Sequence, residues 1–347
     1  MKVLLLSPSD YTLDKTIKIG FERLGFEVYH HNFRKYLKNW QQKVNTQIFR
    51  LPFKYRDKWE QYYLPLINKK HIEIFNQQKP DVVFIYNSEM LLPDTVKYFK
   101  TQKAKIIFLL GDSPYFTPMN RFYMHLFFLA DLIISPDSFW AEQLKLIGLK
   151  NIVVDFPGFD DSLLNFRPPT DEERTKFNFD VLFVGIGYVD AWGYKRTLFV
   201  SKFCNLNLKV FGNKHWLKWF EFFPELKQKF ELQKQRMGFE ELIIMSKCAK
   251  VYPVDANPAV LNGLHLRVLD CIAMGVLPLV EYRKDHDTFF NGVDIPLIKN
   301  YDEAESIAVK YLNNVNLREH TLKELQQFCL EKFKPEVVLK RTLSKLT

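Results

Sequence analysis

The amino-acid sequence predicts an α/β protein with two doubly wound domains in series, facing each other across a crevice. The first observation behind this prediction is an alternation of short apolar runs with helical segments, which is typical of a parallel sheet covered by helices on both faces. The second is that the alternation stops in a proline-rich, charged stretch and then restarts. The third is the length of 347 residues, which exceeds the size at which one hydrophobic core usually stops growing.

The first predicted domain covers residues 1–168. Its strand-like runs, in chain order, are KVLLLS, FEVYHH, DVVFIYN, KIIFLLG, DLIISP and NIVVDF. Each run is short and apolar, as expected of strands that are buried on both faces. The helical region after FEVYHH is long and basic. The stretch PGFDDSLLNFRPPTDEERTKFN after the last run has three prolines and a cluster of charges, which indicates a join between domains near Arg167 to Lys176.

The second predicted domain covers residues 169–330 and repeats the pattern. Its predicted strands are FDVLFVGIG, LNLKVFG, KVYPV and VLPLVEY, with helical segments between them. The stretch 331–347 is predicted to be a final helix that packs back toward the first domain. Because open α/β sheets bind ligands outside the carboxyl ends of their strands, the residues that follow these strands are the first candidates for a site.

Composition and charge narrow the class of protein. The apolar run near the N-terminus, Val3 to Ser7, is too short for a signal peptide, and no stretch reaches the roughly 20 apolar residues needed to cross a bilayer. The four cysteines are far apart and form no C-x-x-C pair, which favours a reducing, cytoplasmic location. The net charge of +9 favours an anionic partner without distinguishing nucleic acid, anionic lipid and phosphorylated substrate.

A glycine turn follows the first strand of the second domain, in FDVLFVGIGYVDAWGYKR. Gly185 and Gly187 lack side chains, so backbone N–H groups there can approach a phosphate, and Lys195 and Arg196 follow at the start of a helix. Asp190 stands where the third glycine of a dinucleotide fingerprint would be. The alternative is a plain tight turn.

The stretch NGLHLRVLDCIAMGVLPLVE predicts a helix that opens with Asn262 and Gly263. Gly263 would let the backbone come close to an anion at the helix N-terminus, whose partial positive charge favours a diphosphate. Asp270 lies about two turns deeper, where its carboxylate can accept hydrogen bonds from a ribose diol. His265 is a candidate to touch the phosphates or to cap the helix. The alternative is a capped core helix with Arg267 and Asp270 on its solvated face.

These two stretches resemble the GT-B glycosyltransferases, and among them the spore-maturation-protein-B-like group with a glycosyltransferase group 1 carboxy-terminal domain. The resemblance covers most of the chain and is closer from Phe179 to Tyr282. Retaining members carry two glutamates separated by seven residues, followed by a small-residue turn. NGLHLRVLD followed by CIAMG looks like that frame, with Asn262 and Asp270 at the two acidic positions.

The resemblance implies two Rossmann-like domains, a nucleotide-sugar substrate and no further cofactor. It implies that Asp270 binds the donor ribose and that Asn262, which departs from the family's acid, lies near the sugar. The relatives also have a glycine turn and a downstream basic residue near the donor phosphates, matched here by Gly185, Gly187 and Arg196. Whether the sugar's configuration is retained or inverted stays open, because Asn262 replaces the first acid.

The first domain is then expected to supply the acceptor face and a catalytic base. Asp112, in GDSP, directly follows the strand KIIFLL, at a strand end where open α/β sheets place ligands. The alternative is a sharp turn at Pro114. Asp10, in SPSD, and Asp137, in SPDS, are similar candidates, although such residues more often cap helices. Asp112 is the preferred base and Asp10 the second candidate.

No metal site is predicted. Asp285 and Asp287, in DHD, resemble the Asp-x-Asp motif of a different glycosyltransferase fold, but they follow the last main strand in a charged loop, which favours a solvated turn. The histidines do not show the H-x-x-x-H spacing of a zinc site.

The region from Phe33 to Lys58 interleaves basic residues with aromatic ones and contains little acid. Its basic residues are Arg34, Lys35, Lys38, Lys43, Arg50, Lys54, Arg56 and Lys58. Such a surface suits anionic lipid headgroups or a polyanionic acceptor, and also single-stranded nucleic acid. The alternative is a solvated helix face whose aromatic residues point inward.

The hypothesis is a metal-independent glycosyltransferase that acts on a glycan or lipid-linked acceptor at the cytoplasmic membrane face, in surface polysaccharide assembly. One alternative is a glycosyltransferase that modifies nucleic acid, a partner that is less expected than an anionic membrane surface. Another is a non-catalytic nucleotide-sugar-binding protein, for which the loss of the first acid at Asn262 is the best argument.

Overall fold

The computed structural model describes residues 1–8, 12–48, 51–86, 90–115, 122–156, 158–233 and 237–346. The chain divides into two compact units. The first unit consists of Met1–Gly158 together with Pro335–Thr347, and the second of Phe159–Lys334. The domain limits predicted from the sequence, at residues 168 and 330, differ from the limits of these compact units and remain a prediction.

The first unit contains a six-stranded parallel sheet with strand order β2-β1-β3-β4-β5-β6. Its strands are β1 (Lys2–Leu6), β2 (Glu27–His31), β3 (Val82–Tyr86), β4 (Lys105–Leu109), β5 (Leu132–Ser135) and β6 (Ile152–Val154). Its helices before the second unit are α1 (Thr12–Arg23), α2 (Asn39–Ile48), α3 (Phe53–Gln78), α4 (Pro93–Thr101), α5 (Tyr123–Leu129) and α6 (Ser138–Leu146). The central strands are buried, as their uninterrupted apolar runs predicted.

The second unit contains another six-stranded parallel sheet, with strand order β12-β11-β10-β7-β8-β9. Its strands are β7 (Val181–Val184), β8 (Leu208–Gly212), β9 (Phe230–Leu232), β10 (Val251–Val254), β11 (Leu277–Glu281) and β12 (Leu297–Ile298). Its helices are α7 (Asp171–Lys176), α8 (Ala191–Ser201), α9 (Phe239–Cys248), α10 (Arg267–Met274), α11 (His286–Phe289), α12 (Ala304–Asn313) and α13 (Val315–Lys332). Two doubly wound parallel sheets confirm the predicted α/β class.

The sequence prediction missed the two edge strands of the second sheet. β9 and β12 are short, and no residue of β9 is fully buried, so neither presents the continuous apolar run by which a central strand is found. Among the described residues, no helix is both long enough and apolar enough to cross a membrane.

The last helix, α14 (Pro335–Leu343), packs against α1 within the first unit. A Cβ atom added to Gly20 of α1 would come within 2.9 Å of atoms of Leu339 and Pro335, so glycine permits this close approach. Arg341 holds α14 to the residue after β6 by donating two hydrogen bonds of 2.7 Å to the Asp155 carboxylate. The chain end is therefore part of the first unit's core.

Each sheet has one point at which the chain reverses its direction of strand addition. In the first sheet the reversal lies between β1 and β3, and in the second it lies between β7 and β10. Open α/β sheets bind ligands outside the carboxyl ends of the strands at such a switch point. The residues that follow β7 and β10 are therefore the structural candidates for a site in the second unit.

Candidate functional site

The glycine turn after β7 is packed against the chain that follows β8. The N–H of Gly187 donates 2.9 Å to Asn213 Oδ1, and a Cβ atom at Gly187 would lie 2.7 Å from Trp216. At Gly185 a Cβ atom would lie 2.7 Å from the Phe183 ring. These contacts require glycine for packing alone, and both glycine N–H groups already have an acceptor, since that of Gly185 donates 3.0 Å to the Phe211 carbonyl. A role of Gly185 and Gly187 in phosphate approach stays a prediction.

Arg196 of α8 is buried between the two strand ends of the switch point. Its Nε donates 2.9 Å to Asp255 Oδ2 and its Nη1 donates 2.7 Å to the Ile186 carbonyl. Asp255 directly follows β10, while Ile186 lies inside the glycine turn. Arg196 thus joins the ends of β7 and β10.

Lys195, the neighbour of Arg196, reaches the end of β11. Its ammonium group donates to Glu281, the last residue of β11, and to the Ala256 carbonyl at 2.8 Å. Arg283 pairs with the same carboxylate at 2.8 Å. Burial lowers the pKa of Lys195, and the neighbouring Glu281 opposes that shift. The carboxylates at the ends of neighbouring strands therefore anchor the start of α8.

Asp255 and Glu281 were missed in the sequence prediction. A signal for both exists, since each carboxylate stands at the carboxyl end of a predicted strand, KVYPV and VLPLVEY. The sequence does not mark Tyr252, inside β10, as a site residue, because tyrosine is common in buried strands.

Arg267, the first residue of α10, forms a second bridge at the switch point. Its Nη1 donates 2.6 Å to the Val184 carbonyl at the end of β7 and 2.7 Å to the Tyr252 hydroxyl. The same hydroxyl donates to the Val184 carbonyl at 3.0 Å. Arg267 does not lie on a solvated face, as the alternative interpretation had it; it holds a positive charge at the end of β7.

The predicted start of this helix is wrong. The helix does not open with Asn262 and Gly263, which lie in a bend, but with Arg267. The N-cap residue is Leu266, whose side chain makes no capping hydrogen bond. His265, the residue before it, accepts from the first turn, since its Nδ1 accepts from the Arg267 N–H at 3.1 Å and its carbonyl accepts from the Val268 N–H at 3.0 Å. The backbone of Asn262 contacts the start of α11, since its carbonyl accepts a hydrogen bond from the N–H of Asp285 at 2.9 Å.

Backbone donors precede the helix. Within the described part of the chain, the N–H groups of Leu264, His265 and Leu266 have no hydrogen-bond acceptor. Consecutive unpaired N–H groups in front of a helix form a favourable environment for an anion. Gly263, directly before them, is buried.

The imidazole of His265 is neutral near pH 7. Burial, with Arg267 as the next cause, lowers its pKa to about 4. Because Nδ1 accepts a hydrogen bond, the proton of the neutral ring resides on Nε2. His265 therefore presents an N–H donor beside the unpaired backbone groups.

Asp270 is the carboxylate of this region that has no hydrogen-bond partner in the described part of the chain. It is half-buried, one helical turn from Arg267. Burial is the main cause that raises its pKa to about 6; Asp160 raises the pKa further and Arg267 opposes the shift. A half-buried carboxylate without a protein partner can accept hydrogen bonds from a ligand.

The structure therefore brings Gly185, Arg196, His265, Arg267 and Asp270 to one edge of the second sheet.

Asp285 and Asp287 lie at α11 instead, where the Asp287 carboxylate accepts from the Tyr282 hydroxyl at 2.7 Å. Among the described residues, no group of three or more His, Cys, Asp and Glu side chains is arranged to hold a metal ion.

The candidate base residues belong to the first unit. Asp112 is half-exposed in the bend after β4. Asp10 lies outside the described residues. Asp137 is fully buried and caps α6, because its Oδ1 accepts from the Trp140 N–H at 3.1 Å. For Asp137 the capping alternative is therefore correct.

The described part of the basic aromatic region comprises residues 33–38, α2, residues 51–52 and the first six residues of α3. Within this region Tyr36 is half-buried, whereas Trp40, Phe53 and Tyr55 are exposed; just beyond it on α3, Trp59 is half-buried and Tyr62 is exposed. Some of the aromatic side chains therefore point inward and others face solvent. Exposures of 64% for Phe53 and 53% for Trp40 are large for such side chains. Phe49 and Arg50 lie outside the described residues.

Two Rossmann-like units in series are the fold of the GT-B glycosyltransferases, and similar solved structures have this fold. A glycosyltransferase from Rickettsia africae is 13% identical, with a TM-score of 0.65 over 99% of this chain and 97% of that one. Anabaena HepE in complex with UDP and glucose is 12% identical, with a TM-score of 0.64 over 100% of both chains.

A third structure is a UDP-forming α,α-trehalose-phosphate synthase from Burkholderia xenovorans. It is 10% identical, with a TM-score of 0.67 over 99% of this chain and 98% of that one. No protein-family model matches the sequence, and no curated protein matches it either. The comparisons confirm the GT-B fold, while the narrower families named from sequence stay a prediction.

Proposed function

We propose that this protein is a glycosyltransferase that moves a sugar from a nucleotide-sugar donor to an acceptor hydroxyl. The observation that carries the proposal is the Asp270 carboxylate, which is half-buried beside Arg267 and has no partner in the described part of the chain. Structures with the same fold support it, because HepE is in complex with UDP and glucose and the trehalose-phosphate synthase is UDP-forming.

The edge of the second sheet suits the parts of a nucleotide sugar. Asp270 accepts hydrogen bonds from the ribose diol, which supplies the partners its carboxylate lacks. The N–H groups of Leu264, His265 and Leu266 bind the diphosphate oxygens, and His265 Nε2 adds a side-chain donor. Arg267 keeps its charge near the diphosphate because its own partners are a carbonyl and a hydroxyl rather than a carboxylate.

In the proposed reaction the bond between the sugar's anomeric carbon and the diphosphate oxygen breaks, and the acceptor oxygen forms the new bond to that carbon. The electron pair of the broken bond stays on the diphosphate, where Arg267 and the backbone donors stabilise it. The acceptor hydroxyl loses its proton to a base, for which Asp112 is proposed and Asp10 is second.

Thermal unfolding with a panel of nucleoside diphosphates and nucleotide sugars tests this proposal. A ligand at about 100 times its dissociation constant adds roughly 2.7 kcal/mol to the free energy of unfolding. We expect one base to stabilise the protein and the others to do so weakly. If no member of the panel raises the unfolding temperature at millimolar concentration, the donor class is wrong. Binding without transfer or donor hydrolysis would favour the non-catalytic alternative.

We also propose that the acceptor is reached at an anionic membrane face. The outward face of α3 carries Tyr55, Tyr62 and Leu66, which are 47%, 48% and 46% exposed, with Lys58 and Lys69 exposed beside them. Their positions place these residues on one helical stripe. Exposed aromatic residues between lysines suit the headgroup region of an anionic bilayer.

Sedimentation with vesicles tests the membrane proposal. Reversal of four lysines to Glu should release the protein from phosphatidylserine vesicles, since each charge near the surface contributes about 1 kcal/mol. The four are Lys35, Lys38, Lys43 and Lys54. The control reverses four exposed lysines elsewhere: Lys227, Lys284, Lys323 and Lys340. Equal release by both sets, or a wild type that never sediments at physiological salt, would contradict the proposal.

A further inference from the structure

Arg196 spans the gap between the strand ends at the second switch point. Asp255 after β10 and the Ile186 carbonyl in the glycine turn after β7 accept from different nitrogens of one guanidinium, at 2.9 and 2.7 Å. A planar guanidinium fixes the directions of its donors, so this bridge sets where the turn lies relative to β10. Lysine has no such fork.

The other sides of the Arg196 side chain are closed by aromatic rings. Its guanidinium carbon lies 5.0 Å from the Trp192 ring centroid, 5.2 Å from that of Tyr188 and 5.7 Å from that of Phe183. The residue is 6% exposed. Surroundings this complete suit a residue that holds other parts of the site in place rather than one that binds the ligand directly.

Asp255 stays ionised although it is 4% exposed. Burial alone raises the pKa of its carboxyl, but the charge and the hydrogen bond of Arg196, with Lys195 nearby, bring it below the ordinary value. The buried cation Arg196 and the buried anion Asp255 therefore compensate each other, and the loss of one leaves the other uncompensated.

We propose that Asp255 is a positioning residue, which acts through Arg196 to hold the turn from Gly185 to Gly187 in the shape that receives the donor diphosphate. The Ile186 N–H in this turn has no acceptor in the described part of the chain, and the Ile186 carbonyl is the group that Arg196 holds. The proposal rests on the proposed function, since it takes a nucleoside diphosphate as the ligand. It also changes the role of Arg196 from a phosphate ligand, as the family resemblance implied, to the bridge that shapes the turn.

The test compares the full-length chain with Asp255→Asn, Arg196→Lys and the double variant. UDP, and then the other nucleoside diphosphates, are titrated by calorimetry well below each variant's unfolding temperature. Each single variant should bind about tenfold more weakly, because each removes a charged hydrogen bond from one bridge. The double variant should bind no more weakly than the worse single variant, because both changes break that bridge.

Asp180→Asn is the control at the opposite end of β7, because it removes the carboxylate of the more exposed Asp180–Lys250 ion pair, whose atoms are 2.7 Å apart. Its affinity should equal that of the wild type. If Asp255→Asn does not fold, Arg196→Lys still decides, since it keeps a cation beside Asp255 while losing the fork. A folded single variant with wild-type affinity, or additive losses in the double variant, would overturn the proposal. A wild type that binds no nucleoside diphosphate overturns the proposed function and this inference with it.

Discussion

The two switch points differ in charge although both sheets follow the same pattern of strand addition. In the second unit, Arg196 and Arg267 join the ends of β7 and β10 and donate to backbone carbonyls of the glycine turn and of β7. In the described part of the first unit, the corresponding end of β1 carries Ser7, whose hydroxyl is 2.9 Å from His30 Nε2.

The difference in charge between the two switch points affects which ligand each of them suits. Arg267, whose partners are a carbonyl and a hydroxyl group, keeps a positive charge that no carboxylate hydrogen-bonds, which favours a diphosphate. At the end of β2, burial and then His30 lower the pKa of His31, so that edge of the first sheet carries an uncharged ring near pH 7. The charge of Arg267 therefore supports the second unit as the donor side of the proposed reaction.

The largest expected effect is the loss of turnover when the proposed base in the first unit is replaced. Asp112→Asn should lower the transfer rate by about 100- to 10,000-fold, on the order of 3 to 5 kcal/mol of barrier, because the amide cannot take the acceptor's proton. Nucleoside diphosphate affinity should not change. Rate and affinity are measured on the same folded variant.

Asp137→Ala is the control for Asp112→Asn, because Asp137 is a helix-capping aspartate in the same unit. Loss of the α6 cap should lower the free energy of unfolding by about 0.5 to 2 kcal/mol while turnover stays near that of the wild type. Normal turnover in Asp112→Asn would make Asp112 a turn residue and leave Asp10 as the candidate base.

A smaller effect is expected on the pH dependence of stability. The pKa of Asp270 is raised to about 6, so its ionised form costs free energy in the folded state. Its unfavourable contribution is absent below the ordinary carboxyl pKa and fully present above about pH 6. The stability of Asp270→Asn relative to the wild type should therefore rise by about 2 kcal/mol between pH 4 and pH 8 in denaturant unfolding. A difference that does not vary with pH would contradict the raised pKa.

The smallest expected effect distinguishes two roles of His265: its Nδ1 accepts from the start of α10, and its Nε2 is proposed to donate to the ligand. Asn at this position can place an oxygen where Nδ1 accepts the Arg267 N–H, while Gln can place a donor where Nε2 lies. His265→Asn should weaken nucleoside diphosphate binding by about 0.5 to 1.5 kcal/mol, and His265→Gln should chiefly reduce stability. Equal affinities in calorimetry would exclude His265 as a ligand donor.

The central strands could be predicted from the sequence because burial on both faces demands a continuous apolar run, as in KIIFLL. β9 and β12 could not, since short edge strands carry no such run. The predicted start of α10 is too early because Asn-Gly is a common helix opening, whereas here the helix begins after Leu266 and the His265 ring nitrogen accepts from its first N–H.

The candidate site was predicted in part. Arg267 and Asp270 were found because they lie in one local motif. Asp255 and Glu281 were missed because their partners on α8 are far away in the sequence, and pairing at that distance follows from strand order rather than from spacing. Strand order places β7 beside β10, and a single sequence does not contain that information in any local pattern.

The most direct test of the account is calorimetric titration of the wild type and Asp270→Ala with the nucleoside diphosphate that stabilises the protein most. Removal of a charged acceptor from a ribose contact should weaken binding by about 1.5 to 3 kcal/mol, which is roughly tenfold or more. Circular dichroism checks that the variant is folded. A folded Asp270→Ala that binds with wild-type affinity would contradict the assignment of the donor to the carboxyl edge of the second sheet.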